Sequence, residues 1–361
     1  MKFPVLFSIF LLLAISLQAN AQTQEKGPAD ALWEIYQQGD FEEVVTQGTA
    51  LLAMDNETAQ VNLAVGRSLV HLEKYDAAFP YLTRAVQLDP YQTWVYAWAQ
   101  VYLGISHFKT GNEDRARQAW ISARDCQATN NATRNAEGNL KLLGLSEFFV
   151  DWKPFETEHF SFRFSGRLEN FDRVNFARSH EEAFFVITQW FGGAPEEKIR
   201  FLLWSSQDEA DEAGMPPLGF SRPNEYLTHA VLGQTVGHEM THIISRHALK
   251  PTLITGLINE GVSVHMDLTD RDQMERARRI LAETVPRPLK VSIPALWLDW
   301  SLAVDSFSYP VAGAFVSMLL EKGGKDKFFE FFVDQSYEHA QLVYGEDLAA
   351  WIDEFEEELY R

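Results

Sequence analysis

A His-Glu-x-x-His pattern at residues 238–242, followed by Glu260, constrains the fold of this chain more than any other feature. In a helix, positions i and i+4 lie on one face about one turn apart, so His238 and His242 can direct two imidazoles at one metal ion. Glu260 follows His242 after 17 intervening residues and is the best candidate for a third ligand. Such a ligand set requires two helical segments to converge.

The residue types in this pattern favour zinc. A catalytic zinc ion takes three nitrogen or oxygen ligands from the protein and keeps one position open. Glu239, beside the first histidine, can hold a metal-bound water and accept its proton. The alternative is a surface helix with two solvated histidines, which periodicity alone does not exclude. The context favours the metal site, because Gly233 and Thr235 predict a helix start and the apolar pattern of residues 257–266 predicts a second helix.

The motif and the Asn259-Glu260-Gly261 sequence on the second helix together resemble the gluzincin metallopeptidases, and more narrowly the bacterial peptidase-MA-like domains. A softer similarity covers residues 152–361. Within it, residues 158–164 are similar to the opening strand of that family, residues 308–316 to its C-terminal stretch, and residues 343–351 to its closing helix. The resemblance implies a zincin-type metallopeptidase domain.

The resemblance also implies a set of roles. Zn2+ would be held by His238, His242 and Glu260, and Glu239 would be the general base for peptide-bond hydrolysis. Because the resembling enzymes use a tyrosine or histidine from a downstream segment to stabilise the oxyanion, Tyr309 is the candidate for that role. Its alternative is a tyrosine that packs at the start of an apolar helix.

Two departures from the family pattern limit what the resemblance implies. The GxMEN exopeptidase motif of the aminopeptidase-N-like group is absent between residues 219 and 237, which favours an endopeptidase. Val264 stands where thermolysin-like enzymes carry an aspartate, so another residue must orient a ligand histidine. His265 and Asp267 are close in sequence, but neither can be assigned to that role.

The N-terminus predicts export. Residues 1–21 combine Lys2, an apolar run over residues 3–17, and Ala19-Asn20-Ala21, which is typical of a cleaved secretory signal. An uncleaved N-terminal anchor is the alternative. We expect a periplasmic or secreted protein with no stable membrane insertion after cleavage. Cys126 is the only cysteine, so no intramolecular disulfide can form.

Residues 22–150 carry a weak repeat of small residues. The shared spacings of 12, 4 and 3 occur in two sets: Gly66, Ala78, Leu82, Ala85 and Gly104, Ala116, Trp120, Ala123. They resemble the tetratricopeptide (TPR) pattern, in which small residues let paired helices approach. The alternative is an ordinary helical bundle. Such a domain would offer a concave surface to a protein partner, or it would stabilise the catalytic domain.

Residues 151–361 predict an α+β domain with a small sheet and a mostly helical C-terminal lobe. Strands are expected at residues 159–164, 198–204 and 225–231, with a helix ending near Gly192. The strand before the motif resembles the edge strand along which gluzincins bind extended substrate, and this resemblance implies that residues 226–229 line the cleft. His229 has the alternative of being an ordinary strand residue.

The formal net charge of -20 argues against nucleic acid or an anionic membrane as a partner. The sequence as a whole therefore predicts an exported zinc metallopeptidase that acts on a peptide or protein substrate, with a TPR-like domain for a protein partner. The alternative is a catalytically inactive, metallopeptidase-like scaffold whose TPR-like domain carries the function.

Overall fold

The computed structural model describes residues 27–54, 56–284 and 292–361. The chain divides into two compact units between Gly138 and Asn139, N-terminal to the boundary expected after residue 150. The expected signal segment, residues 1–21, lies outside the described residues. None of the helices in the described ranges is both long enough and apolar enough to cross a membrane.

The N-terminal unit consists of α-helices that follow one another in pairs. They are α1 (Pro28–Gln38), α2 (Phe41–Ala53), α3 (Ala59–His71), α4 (Tyr75–Leu88), α5 (Trp94–Lys109) and α6 (Glu113–Asp125), and α7 (Asn130–Leu142) spans the division between the units. A Cβ on Gly66 would overlap Leu82, and one on Gly104 would overlap Trp120. These two contacts occupy equivalent positions of the predicted repeat, so the small residues allow the close helix pairing that its spacing implies.

The C-terminal unit is an α+β structure. Its strands are β1 (Lys153–Glu156), β2 (Phe160–Phe164), β3 (Ile199–Trp204), β4 (Phe220–Arg222) and β5 (Leu227–Val231). Its helices are α8 (Arg173–Phe191), α9 (Gln207–Glu212), α10 (His238–Leu249), α11 (Gly256–His265), α12 (Gln273–Thr284), α13 (Ile293–Leu298), α14 (Asp305–Gly323), α15 (Lys325–Phe332), α16 (Tyr337–Tyr344) and α17 (Asp347–Leu359). As expected, α8 ends next to Gly192.

The five strands form one mixed sheet in the order β1-β2-β3-β5-β4. Strands β2, β3 and β5 are parallel, and β1 and β4 run antiparallel at the two edges. The three predicted strands are present, but the prediction that the strand before the motif is the edge strand was wrong. That strand is β5, and the shorter β4 covers it on the outside. With three residues, β4 is too short to show an alternating pattern in the sequence.

The core of this unit lies between the sheet and the helices that pack on it. Phe160, Phe162 and Phe164 of β2 are fully buried and belong to one cluster with α8, α10, α11 and α14. Met240 and Ile243 of α10 are also fully buried in this cluster. Burying a side chain of this size contributes about 1.5–3 kcal/mol. One face of α10 is therefore anchored in the core, which holds the helix that carries the motif.

Candidate metal centre

Helix α10 begins at His238, later than the start that Gly233 and Thr235 predicted. A Cβ on Gly237 would overlap the backbone oxygen of Met266, the residue that follows the last residue of α11. Glycine is therefore required where the start of α10 passes the end of α11. This close approach brings the two helices of the motif together.

The three predicted metal ligands converge in the structure. One ligand atom each from His238, His242 and Glu260 lies within 4.8 Å of the others. Oε2 of Glu260 is 3.3 Å from Nε2 of His238 and 3.5 Å from Nε2 of His242. Ligand atoms at about 2.0–2.2 Å from one tetrahedral ion lie about 3.4 Å apart. The donor set therefore fits an ion of the size and ligand preference of zinc, and its chemistry does not by itself identify the metal.

The electrostatics of the three side chains fit a cation between them. Burial lowers the pKa of His242, but the charge of Glu260 and a hydrogen bond to it outweigh burial and raise that pKa to about 9. Burial raises the pKa of Glu260, but attraction to His242 and hydrogen bonds to both histidines hold it far below its usual range. A proton on the imidazole thus neutralises the carboxylate, and a metal ion must displace that proton to bind.

His242 is oriented by α11, through residues that the sequence analysis missed. The hydroxyl of Ser263 donates to the backbone oxygen of Asn259 at 3.0 Å, so its oxygen can accept a hydrogen bond from Nδ1–H of His242 at 3.1 Å. Nδ2 of Asn259 also lies 3.0 Å from Nδ1, and with the amide turned over, its oxygen accepts from the same Nδ1–H. With its proton on Nδ1, His242 keeps Nε2 available for a metal.

The two residues considered earlier for orienting His242 have other partners. His265 is hydrogen-bonded to Ser317 of α14 at 2.8 Å. The carboxylate of Asp267 accepts hydrogen bonds from the backbone N–H and the hydroxyl of Thr269. The signal that could have identified Ser263 is its i, i+4 relation to Asn259, which places both side chains on one face of α11.

Glu239 is buried beside the ligands, with 7 % of its surface exposed. Oγ of Ser221, on β4, lies 2.9 Å from Oε2 of Glu239 and 2.8 Å from its backbone oxygen. Ser221 pairs with Thr228 across the β4–β5 ladder, and their hydroxyl oxygens are 3.0 Å apart. The edge strand therefore holds the candidate general base in place. The sequence carried no signal for Ser221, because its role depends on strand pairing.

A cavity of about 480 Å³ lies against the site and is lined by His238, Glu239 and Tyr309. The ring of Tyr309, on α14, is 5.9 Å from the ring of His238. Gly261, next to the ligand Glu260, packs against α14, since a Cβ there would lie 2.6 Å from the backbone oxygen of Ala312. The structure thus brings Tyr309 to the same cavity as the motif.

His229 does not line the cleft, contrary to the expectation for residues 226–229. It is buried, with Nδ1 accepting from Nε1–H of Trp204 at 3.0 Å and Nε2 2.8 Å from the backbone oxygen of Leu142. Burial lowers its pKa to about 4, although the bond to Leu142 opposes this effect. His229 stacks on the rings of Phe220 and Trp204, so it serves the packing of the sheet.

A scan of protein-family models finds none that matches the chain, and a search of curated proteins finds no match either.

Proposed function

We propose that this protein is a gluzincin-type zinc metallopeptidase that hydrolyses peptide bonds and acts as an endopeptidase. The observation that carries the proposal is the convergence of His238, His242 and Glu260 at ligand-to-ligand distances of 3.3 and 3.5 Å, with Glu239 buried beside them. Two imidazoles, one carboxylate and an adjacent second carboxylate form the donor set of a hydrolytic zinc site. The adjoining cavity gives a substrate access to it.

In this mechanism, bound zinc would polarise the scissile carbonyl and lower the pKa of a water ligand to about 7. Glu239 takes a proton from the attacking water and later passes it to the leaving amine. Ser221 holds the carboxylate of Glu239 in position through its hydroxyl. Tyr309, which lines the same cavity, donates to the oxyanion, a contribution of about 3 kcal/mol.

The edge strand β4 supports binding of an extended peptide. Its outer side has no strand neighbour within the described sheet, and its Ser221 contacts Glu239. A peptide that pairs with β4 would therefore pass beside the general base, with main-chain hydrogen bonds supplying affinity. Substrate addition at β4 replaces the earlier expectation for β5.

The helical unit is proposed to be TPR-like and to bind a protein partner. Three successive helix pairs, α1–α2, α3–α4 and α5–α6, support this view, since about three units are needed to bury a continuous core. Two of the pairs have equivalent glycine contacts, at Gly66 and Gly104. Export to a periplasm or to the cell exterior rests on residues 1–21 alone.

The test compares two glutamate-to-glutamine variants of purified residues 22–361. Glu260→Gln removes a ligand, so zinc content should fall well below one per chain. Glu239→Gln keeps all three ligands, so it should hold zinc like wild type and lose turnover of a peptide library. Each variant is the matched control of the other, because both lose one carboxylate in the same site.

The outcomes separate the two functions considered. Zinc near one per chain, with turnover lost only in Glu239→Gln among the zinc-loaded proteins, supports the peptidase. No zinc after reconstitution refutes it. Full zinc without turnover of any peptide favours the catalytically inactive scaffold, whose function would lie in the helical unit.

A further inference from the structure

Two arginines line the cavity of the candidate site. Arg271 and Arg276 face the same space as His238 and Glu239. Both also line an adjoining cavity of about 460 Å³, together with Arg279 and two acidic residues, Asp272 and Glu275. The chain has 51 acidic and only 31 basic residues, so a cluster of three arginines at one mouth is contrary to its overall charge. Their guanidinium groups lie where they can attract an anionic group of a ligand that enters the cavity.

These arginines have no acidic partner among the side chains that the structure describes. Arg278, on the same helix, is paired with Glu358 at 3.0 Å, whereas neither Arg271 nor Arg276 has a carboxylate within ion-pair distance. Residues 285–291, which follow α12, contain no acidic residue in the sequence. Asp272 and Glu275 line the same adjoining cavity, yet neither forms an ion pair with Arg271 or Arg276.

The acidic groups of the cavity are already engaged. Asp267 accepts two hydrogen bonds from Thr269, at 2.9 and 2.7 Å. Glu239 is held by Ser221. Burial and then the charge of Arg271 lower the pKa of Arg276, an effect that Asp267 opposes only in part. Arg276 is thus a partly desolvated cation without a carboxylate at ion-pair distance among the described side chains, and a carboxylate of a ligand would supply that partner.

We infer that Arg271 and Arg276 bind a carboxylate of the peptide substrate, an inference that rests on the peptidase function proposed above. Guanidinium groups match the planar geometry of carboxylates and bind them through paired hydrogen bonds. A volume of about 480 Å³ corresponds to a sphere about 10 Å across. An extended peptide rises about 3.3 Å per residue, so the carboxylate lies within about three residues of the scissile bond.

The carboxylate can come from an Asp or Glu side chain or from the C-terminus of the substrate. Three fluorescent peptides of one length distinguish these sources. The first has an internal Glu and an amidated C-terminus, the second has Gln and a free C-terminus, and the third has Gln and an amidated C-terminus. Their affinities are measured by fluorescence anisotropy with the full mature chain carrying Glu239→Gln, which binds substrate without turning it over.

We expect at least one anionic peptide to bind tenfold or more tightly than the neutral one. Adding Arg271→Gln and Arg276→Gln should abolish that preference, and adding Arg278→Gln should leave it unchanged. Arg278 is the matched control because it lies on the same helix and its charge is already paired with Glu358. Adding Arg276→Glu to the same background should shift the preference towards a lysine-containing peptide, which a purely structural role of Arg276 would not cause.

Equal affinity for all three peptides overturns the arginine inference and leaves the peptidase function intact. A preference that survives the double substitution also overturns it. If no peptide of any charge binds to the zinc-loaded chain, the peptidase proposal and this inference fail together. Circular dichroism of each variant establishes that a lost preference does not come from unfolding.

Discussion

His180 links the stability of the C-terminal unit to pH. It lies on α8 with 2 % of its surface exposed. Its imidazole ring packs against three phenylalanine rings of the sheet, those of Phe160, Phe162 and Phe201. Its Nδ1 is 2.8 Å from the backbone oxygen of Phe176. Burial lowers the pKa of His180 to about 4, although the bond to Phe176 opposes this effect. The folded protein therefore holds a neutral imidazole in its core.

The direction of the pH effect follows from the two pKa values. Between pH 6.5, the ordinary pKa of an exposed histidine, and about 4, the unfolded chain binds a proton at His180 and the folded chain does not. The free energy of unfolding therefore rises with pH across this window and falls as the solution is acidified. The linkage relation gives a loss of about 2 kcal/mol between pH 7 and pH 5 from this one residue.

Substitution of His180 by leucine removes the titrating group and replaces it with an apolar side chain of similar volume. We expect the variant to lose about 2 kcal/mol less than wild type between pH 7 and pH 5. Urea unfolding of both proteins at the two pH values, with chelator present, measures this difference. All other histidines are present in both proteins, so their contributions cancel in the difference. An equal loss in both proteins would refute the claim that His180 stays neutral in the fold.

Three further substitutions test the packing and the chemistry of the site. Gly261→Ala should destabilise the fold by about 1–3 kcal/mol, because the new methyl group meets the backbone oxygen of Ala312; an unchanged urea midpoint contradicts this. Ser263→Ala should weaken zinc binding about tenfold in a chelator competition, since it removes a hydrogen bond that orients His242; equal affinity would mean that the bond is dispensable. Tyr309→Phe should lower kcat about 100-fold at constant zinc content; wild-type kcat would exclude it as the oxyanion donor.

The convergence of the three candidate ligands was predictable in part because it depends on local geometry. The i, i+4 spacing of His238 and His242 places both on one helix face whatever the rest of the fold does. Glu260 needed one further assumption, that its helix packs against the first. The structure meets this condition through Gly237 and through the hydrogen bonds between His242 and α11.

The residues that support the ligands were not predictable in the same way. Ser221 acts through the pairing of a three-residue strand, and a strand that short leaves no periodic signal. Arg271 precedes α12 and Arg276 lies on it. The position of α12 relative to the cavity depends on tertiary packing, which the sequence does not show. The interior position of β5 was missed because the chain reverses through a short turn that begins at Pro223. This turn returns the chain from β4 to β5, and the predicted strand, which starts at residue 225, includes the end of the turn.

Both open edges of the sheet are poorly suited to pairing with a second copy of the chain. At one edge, β4 has three residues. At the other, β1 has four, of which Lys153 and Glu156 are exposed and charged, while Pro154 has no N–H to donate. Short strands, charges and proline at an edge are the features that disfavour edge-to-edge association. The short β4, which we propose as the strand that pairs with a peptide, thus also disfavours pairing of the sheet edge with a second copy of the chain.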